Sequence, residues 1–124
     1  MNAAESLVRE FCDAWSKLDA DLLTEYFTDD GVYHNMPMAP LEGKDAIRGF
    51  LTGFLAGVTT AEFKMLNVVA SDAVVFTERI DAFTLAGKHG AFPVCGVFEI
   101  RDGKIAAWRD YFDMAQVTAF LTGS

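Results

Sequence analysis

Arg79 and Asp81 stand two residues apart in the run 74–83, whose branched and aromatic residues predict a β-strand. Side chains alternate along a strand, so Val75, Thr77, Arg79, Asp81 and Phe83 share one face. An arginine and an aspartate between apolar neighbours are costly to bury unless something compensates them, and a lone pair of this kind is most often an exposed ion pair. Two other stretches carry polar groups at the same spacing. Tyr33 and Asn35 share a face in a short strand near residue 33, and Trp108, Asp110 and Phe112 share one in the last strand, with Arg109 and Tyr111 pointing the other way. If the three faces line one cavity, two carboxylates flank an arginine, with a phenol and an amide nearby. That set suits general acid–base chemistry, provided that one aspartate is protonated while the other is not. A free aspartate, with a pKa near 3.9, is protonated about once in a thousand molecules at pH 7, so holding one neutral costs roughly 4 kcal/mol. Apolar burial and repulsion from a second carboxylate can supply such a shift. Arg79 opposes it, so a coupled pair sharing one proton is expected rather than two independent acids.

Strands must present these groups, and helices must cover them. Asn2-Ala3-Ala4-Glu5 reads as a capping box, with the asparagine as cap and the glutamate reaching back. Leu7, Phe11, Trp15 and Leu18 then recur at helical spacing, with Val8 and Cys12 beside them. Asp19 caps a second, shorter helix through Leu22, Leu23, Tyr26 and Phe27, and Asp29-Asp30-Gly31 reads as a turn. A short strand over 32–36 follows, ended by Pro37 and Pro40. The helical period returns over 44–57 through Ile47, Phe50, Leu51, Phe54 and Leu55. Gly49, Gly53 and Gly57 sit four apart there; each glycine inside a helix costs up to about 1 kcal/mol against alanine, which a close approach of the helix to a sheet would offset. The rest reads as strands over 63–70, 74–85, 91–100 and 104–112, with turn signals at Ser71-Asp72, Gly87-Lys88 and Asp102-Gly103, then a helix over 114–121. Helices first and an antiparallel meander after predict one α+β domain over 1–124, a curved, mostly antiparallel sheet wrapped around the N-terminal helices and enclosing a cone-shaped cavity. Strand parity places Phe83, Phe92, Val94 and Phe112 on the cavity wall, with Met36 and Phe54 helping.

A chain of 124 residues, 52% of them hydrophobic and 11 of them phenylalanine, can enclose an aromatic-lined core. The net charge of −8, with no basic stripe, argues against nucleic acid and anionic membranes as partners. Cys12 and Cys95 both lie in apolar patterns, which predicts buried free thiols. No apolar run approaches the ~18 residues of a membrane span and no signal peptide pattern opens the chain, so a soluble cytoplasmic protein is expected. His34 and His89 are the only histidines, with no H-x-x-x-H or C-x-x-C spacing to suggest a metal site. His34 has the opposite parity to Tyr33 and Asn35 and so faces away from the cavity; His89 reads as a turn residue. Val74, Phe76, Ile80, Ala82, Cys95 and Val97 form the opposite sheet face, too apolar to leave in water as one patch, which predicts a symmetric homodimer.

The segments Tyr33-His34-Asn35-Met36-Pro37, Glu78-Arg79-Ile80-Asp81 and Trp108-Arg109-Asp110-Tyr111-Phe112-Asp113 resemble the limonene-1,2-epoxide hydrolase family, as do Gly43-Lys44-Asp45-Ala46 and Gly96-Val97-Phe98. The resemblance implies the nuclear-transport-factor-like cone fold, no cofactor and commonly a dimer. It implies Asp110 as general base, with Tyr33 and Asn35 holding the nucleophilic water beside it. It implies Asp81 as the acid that protonates the epoxide oxygen, Arg79 as the bridge between the carboxylates and Trp108 as the aromatic beside the base. Family members carry an extension before the first helix where this sequence has almost none, which bears on pocket closure and substrate size more than on the chemistry. Opening an epoxide with water needs a base and an acid together, because the alkoxide is a poor leaving group. The covalent route uses a nucleophile on a strand-to-helix elbow, and no G-x-S-x-G-type elbow is present. The expected substrate is a small, mostly apolar epoxide, cyclic or terpene-like, with water as co-substrate. Two other readings share the fold: an isomerase or cyclase resembling ketosteroid isomerases or polyketide cyclases, which has no need for an arginine joining two carboxylates, and a non-catalytic carrier of apolar ligands.

Overall fold

The structure is a computed structural model describing residues 1–123. Three helical segments come first: α1 (Ala3–Ala14), a single 3-10 turn over Trp15–Lys17, and α2 (Ala20–Thr24). Asn2 caps α1 by accepting the Glu5 backbone N–H. The Glu5 side chain does not reach back as a capping box requires; Arg9, one turn on, takes it at 2.9 Å. Asp19 caps α2 by accepting the Leu22 N–H.

Strands β1 (Phe27–Asn35) and β2 (Leu41–Glu42) precede helix α3 (Lys44–Leu55), and the long strands β3 (Val58–Ala70), β4 (Val74–Leu85), β5 (Lys88–Arg101) and β6 (Lys104–Tyr111) precede helix α4 (Met114–Thr122). They form one curved, unclosed sheet in the order β2-β1-β6-β5-β4-β3. Only β1 and β6 run parallel; the other neighbours are antiparallel. Register shifts put extra residues in β1, β3 and β6, and such bulges bend and twist strands.

Several sequence expectations need correction. Tyr26 and Phe27 do not extend α2. Pairing with Ile105 takes this stretch into the sheet, where Phe27 is fully buried. Asp29-Asp30-Gly31 is not a separate turn but lies in β1, within the bulge between Phe27 and Val32. The β4–β5 hairpin turns at Ala86-Gly87, one residue before the expected Gly87-Lys88. Both residues have positive φ, as do Asp102-Gly103, so each pair fits a two-residue turn with the twist that antiparallel strands prefer. His89 is therefore not a turn residue but the second residue of β5, with its Nδ1 3.3 Å from the Thr84 hydroxyl.

The glycines of α3 do not mark a close approach. A Cβ at Gly49 or Gly53 would meet nothing within 4 Å; one at Gly57, just past the helix, would press on Leu85 at 2.9 Å. Gly53→Ala is therefore expected to stabilise the fold by about 0.5–1 kcal/mol, read as a higher urea midpoint at unchanged slope. A lower midpoint would show that the position has a packing role.

The concave face carries the core, in which Phe11, Trp15, Phe27, Phe98 and Trp108 are essentially inaccessible. The opposite face is bare: Phe76 is 56% exposed and Val69 71%. Cys95 lies on this bare face and is exposed, while Cys12 is buried in α1, so only one of the two thiols is interior. Among the described residues, no helix is long and apolar enough to cross a membrane.

Candidate active site

Strand pairing lines the polar groups up in rows. Asn35 on β1 pairs with Asp110 on β6, Asp110 with Gly96 on β5, and Gly96 with Thr77 on β4. The next row runs Tyr33, Trp108, Phe98, Val75. Arg79 and Asp81 lie further along β4, opposite Val94 and Phe92. The three pairs of the sequence thus meet on one concave face, although they come from strands far apart in the chain.

Arg79 is the hub. Its Nε donates to Asp81 Oδ1 at 3.0 Å and its Nη2 to Asp81 Oδ2 at 2.8 Å. Nη2 also donates to Asp110 Oδ2 at 2.8 Å, and Nη1 to Asp110 Oδ1 at 3.2 Å. The last proton of Nη1 goes to Thr77 Oγ1 at 3.0 Å. All N–H groups of the guanidinium are thereby used, which a fully buried arginine requires. The ring of Phe63 lies 4.9 Å from the guanidinium carbon, adding a cation–π contact.

The two carboxylates differ in what holds them. Asp110 accepts from Arg79 twice and from the Trp108 indole at 2.6 Å; Asp81 accepts from Arg79 alone. Burial pushes Asp81 up to about 6, against the hydrogen bonds and charge of Arg79 and with help from Asp110. Burial raises Asp110 as well, against Arg79 and Trp108. Burial opposes the charge on Arg79, but Asp110 and Asp81 outweigh it and hold the arginine charged. Burial, together with the charge on Asp110, keeps the Tyr33 phenol protonated and able to donate.

A cavity of about 180 Å³ opens onto these groups, with Tyr33, Asn35, Asp81 and Asp110 on its wall. Phe83, Phe92, Val94 and Phe112 line it, where strand parity puts them, together with Phe54 of α3. Met36 and Trp108 do not. The turn after Asn35, closed by a Met38 N–H to Asn35 carbonyl bond, presents Met38 to the cavity in place of Met36. Trp108 stacks behind Tyr33 at 4.3 Å and supports both the phenol and Asp110. His34 lies off the wall, its Nε2 2.9 Å from the Met38 carbonyl.

Sequence reasoning missed Phe50 and Trp15 on the wall, and Met114, Val117, Phe120 and Leu121 of α4. The spacing of Val117, Phe120 and Leu121 marks one helix face and was the available signal. It placed Thr77 on the face of Arg79 without seeing it as a hydrogen-bond partner, and it missed Gly96 as a neighbour of Arg79. No cluster of three or more potential metal-ligating side chains occurs among the described residues.

The chain is 36% identical over 107 residues to epoxide hydrolase EphG of Mycobacterium tuberculosis, covering 86% of this chain and 71% of that one. It superposes on the structure of an M. tuberculosis LEH-like epoxide hydrolase with a TM-score of 0.80 at 32% identity, over 98% of this chain and 97% of the other. An NTF2-like protein of unknown function from Burkholderia pseudomallei superposes with a TM-score of 0.86 at 16% identity, over 98% and 99%, which shows the cone fold alone. The family model described as the limonene-1,2-epoxide hydrolase catalytic domain matches residues 2–121, and the chain belongs to that family of epoxide hydrolases.

Proposed function

We propose that this epoxide hydrolase adds water to a small, mostly apolar epoxide in a single step, without a covalent intermediate or a cofactor. The observation that carries the reading is the unequal support of two carboxylates on one buried arginine. Burial raises both carboxyls, so what separates them is their donors: Asp110, with the Trp108 indole added to Arg79, suits the ionised base, and Asp81, held by Arg79 alone, suits the acid. Tyr33 and Asn35 hold a water against Asp110. Asp110 takes one of its protons as the water oxygen attacks an epoxide carbon. The carbon–oxygen bond breaks, and Asp81 gives its proton to the departing oxygen, so the product is a vicinal diol. A proton has in effect passed from Asp81 to Asp110 and must return before the next turnover. The apolar wall selects the substrate's hydrocarbon body, which a cyclic or terpene-like epoxide supplies.

The test is diol formation from limonene-1,2-epoxide, cyclohexene oxide and styrene oxide, with and without a chelator. Diol undiminished by chelator is the expected result. No diol from any of the three would move the reading to a proton-abstracting isomerase or cyclase, or to a carrier.

The pH profile follows from the shared proton. A carboxyl whose pKa is raised keeps its proton to higher pH, so kcat/KM should decline above about pH 6, where Asp81 loses it. On the acid side, protonation of Asp110 removes the base, and the profile is a bell belonging to the pair. A flat profile from pH 5 to 9 would refute the acid role of Asp81.

The bare sheet face fits a second copy of the chain. Phe76, 56% exposed, lies among the partly exposed Val74, Ile80, Ala82 and Val97. Sedimentation at micromolar concentration is expected to give a dimer mass, and Phe76→Glu a monomer mass. A monomer for the wild type would count against this interface.

A further inference from the structure

Gly96 sits between Thr77 and Asp110 in the row that crosses β4, β5 and β6, and Arg79 reaches over it to Asp110. A Cβ at Gly96 would stand 2.4 Å from Arg79 Nη1, 2.7 Å from Asp110 Oδ1 and 3.0 Å from Thr77 Oγ1. These contacts are closer than a side chain tolerates, and two involve the atoms of the Arg79–Asp110 hydrogen bond itself. The guanidinium could not move aside cheaply, because each of its other N–H groups is already bonded to Asp81, Asp110 or Thr77. Thr77 is buried and takes the one N–H of Arg79 that neither aspartate accepts. Its hydroxyl proton faces the Gly96 carbonyl at 3.5 Å, which leaves a lone pair for Arg79.

We infer that Thr77 and Gly96 are positioning residues, which together form a seat that fixes the Arg79 guanidinium between Asp81 and Asp110. Neither touches the reacting atoms. Thr77 sets the tilt of the arginine by accepting its remaining proton, and Gly96 leaves the space through which the arginine meets Asp110. The inference rests on the acid–base reading above, and it adds residues that pairing of the charged groups alone does not reveal. An arginine with one unpaired, buried N–H would turn toward another acceptor and give up part of its hold on a carboxylate.

The experiment compares Thr77→Val, Thr77→Ser, Gly96→Ala, Arg79→Lys and the double variant Gly96→Ala with Arg79→Lys in the full chain. Thr77→Val keeps the shape and removes the acceptor. It is expected to lower kcat by about tenfold or more with KM changed by less than about threefold, and to move the alkaline limb of the pH profile, while Thr77→Ser recovers most of the activity. Gly96→Ala is expected to lower kcat by about a hundredfold, and to cost clearly less once Arg79→Lys has removed the nearest of the groups it collides with. Wild-type kcat and pH profile in Thr77→Val, or losses in Gly96→Ala and Arg79→Lys that multiply, would overturn the seat. If Gly96→Ala does not fold, the Thr77 pair still decides. A failure of the hydrolase reading shows separately, as absence of diol from the wild type. In that case the Arg79 side-chain N–H signals in nitrogen-15 NMR decide. One Nη proton is expected to shift upfield and exchange faster in Thr77→Val but not in Thr77→Ser, and unchanged signals would overturn the seat.

Discussion

Diol formation is expected to fall by at least about a thousandfold in Asp110→Asn and in Asp81→Asn, with both variants folded. Each change keeps the size of the side chain and removes its ability to exchange a proton. In Asp110→Asn the water has no base, and the Arg79–Asp81 pair remains with no role in attack. In Asp81→Asn the base is intact, but the alkoxide must leave without a proton, because an asparagine N–H is too weakly acidic to be transferred. The losses should not multiply. A base without its acid achieves little, so the double variant is expected to match the worse single one. Folding is expected to survive because Asp81 already resists carrying its charge in this burial, with its pKa pushed up to about 6. Replacing it with a neutral group therefore removes an unfavourable element as well as a partner of Arg79. Diol assays with excess cyclohexene oxide, set beside far-ultraviolet circular dichroism, check both halves. More than a few per cent of wild-type turnover in either folded variant would remove that residue from the mechanism.

Much of this site is legible in the sequence, because a strand's facing pattern is a local property. The alternation around Arg79 and Asp81, and around Trp108, Asp110 and Phe112, puts the polar groups and Phe83 on one side from residue types alone. The Asp102-Gly103 turn is legible for the same reason, since its two left-handed residues are a local preference. What the sequence does not display is register. That Asn35, Asp110, Gly96 and Thr77 fall in one row depends on pairings among four strands, and no pattern within a strand encodes it. Gly96 therefore reads as an ordinary strand glycine until Arg79 is seen passing over it. Tyr26 and Phe27 failed for a related reason: their helical spacing is real, but burial of Phe27 against Ile105 outweighs it. Gly49 and Gly53 show the reverse, a suggestive spacing with nothing packed against it.

Arg79→Met is expected to destabilise the fold by roughly 3–5 kcal/mol at pH 8, a large share of what a domain of this size possesses. The methionine fits the apolar surroundings of Phe63 and Trp108, so lost packing is the smaller part. The larger part is what stays behind. Asp81 and Asp110, with side chains 7% and 5% exposed, lose their shared counter-ion and the hydrogen bonds it made, and they repel each other. Protonation offers relief, and this gives the prediction its signature. In the wild type Arg79 opposes the upward push of burial on both carboxyls; without it their folded-state pKa values rise further. A group whose folded pKa lies above its unfolded value contributes stability that is fully present below the unfolded value, near pH 4, and is lost as pH rises through the folded one. The deficit of Arg79→Met should therefore be small at pH 4–5 and grow toward pH 8, more steeply than any trend in the wild type. Urea unfolding of both proteins at pH 5 and pH 8 measures it. A deficit equal at the two pH values would mean that the cost is packing and that the charged trio contributes little to stability. A deficit that opens with pH would show that the fold pays for its two buried carboxylates through Arg79, so that one guanidinium supports both the architecture and the acid–base pair.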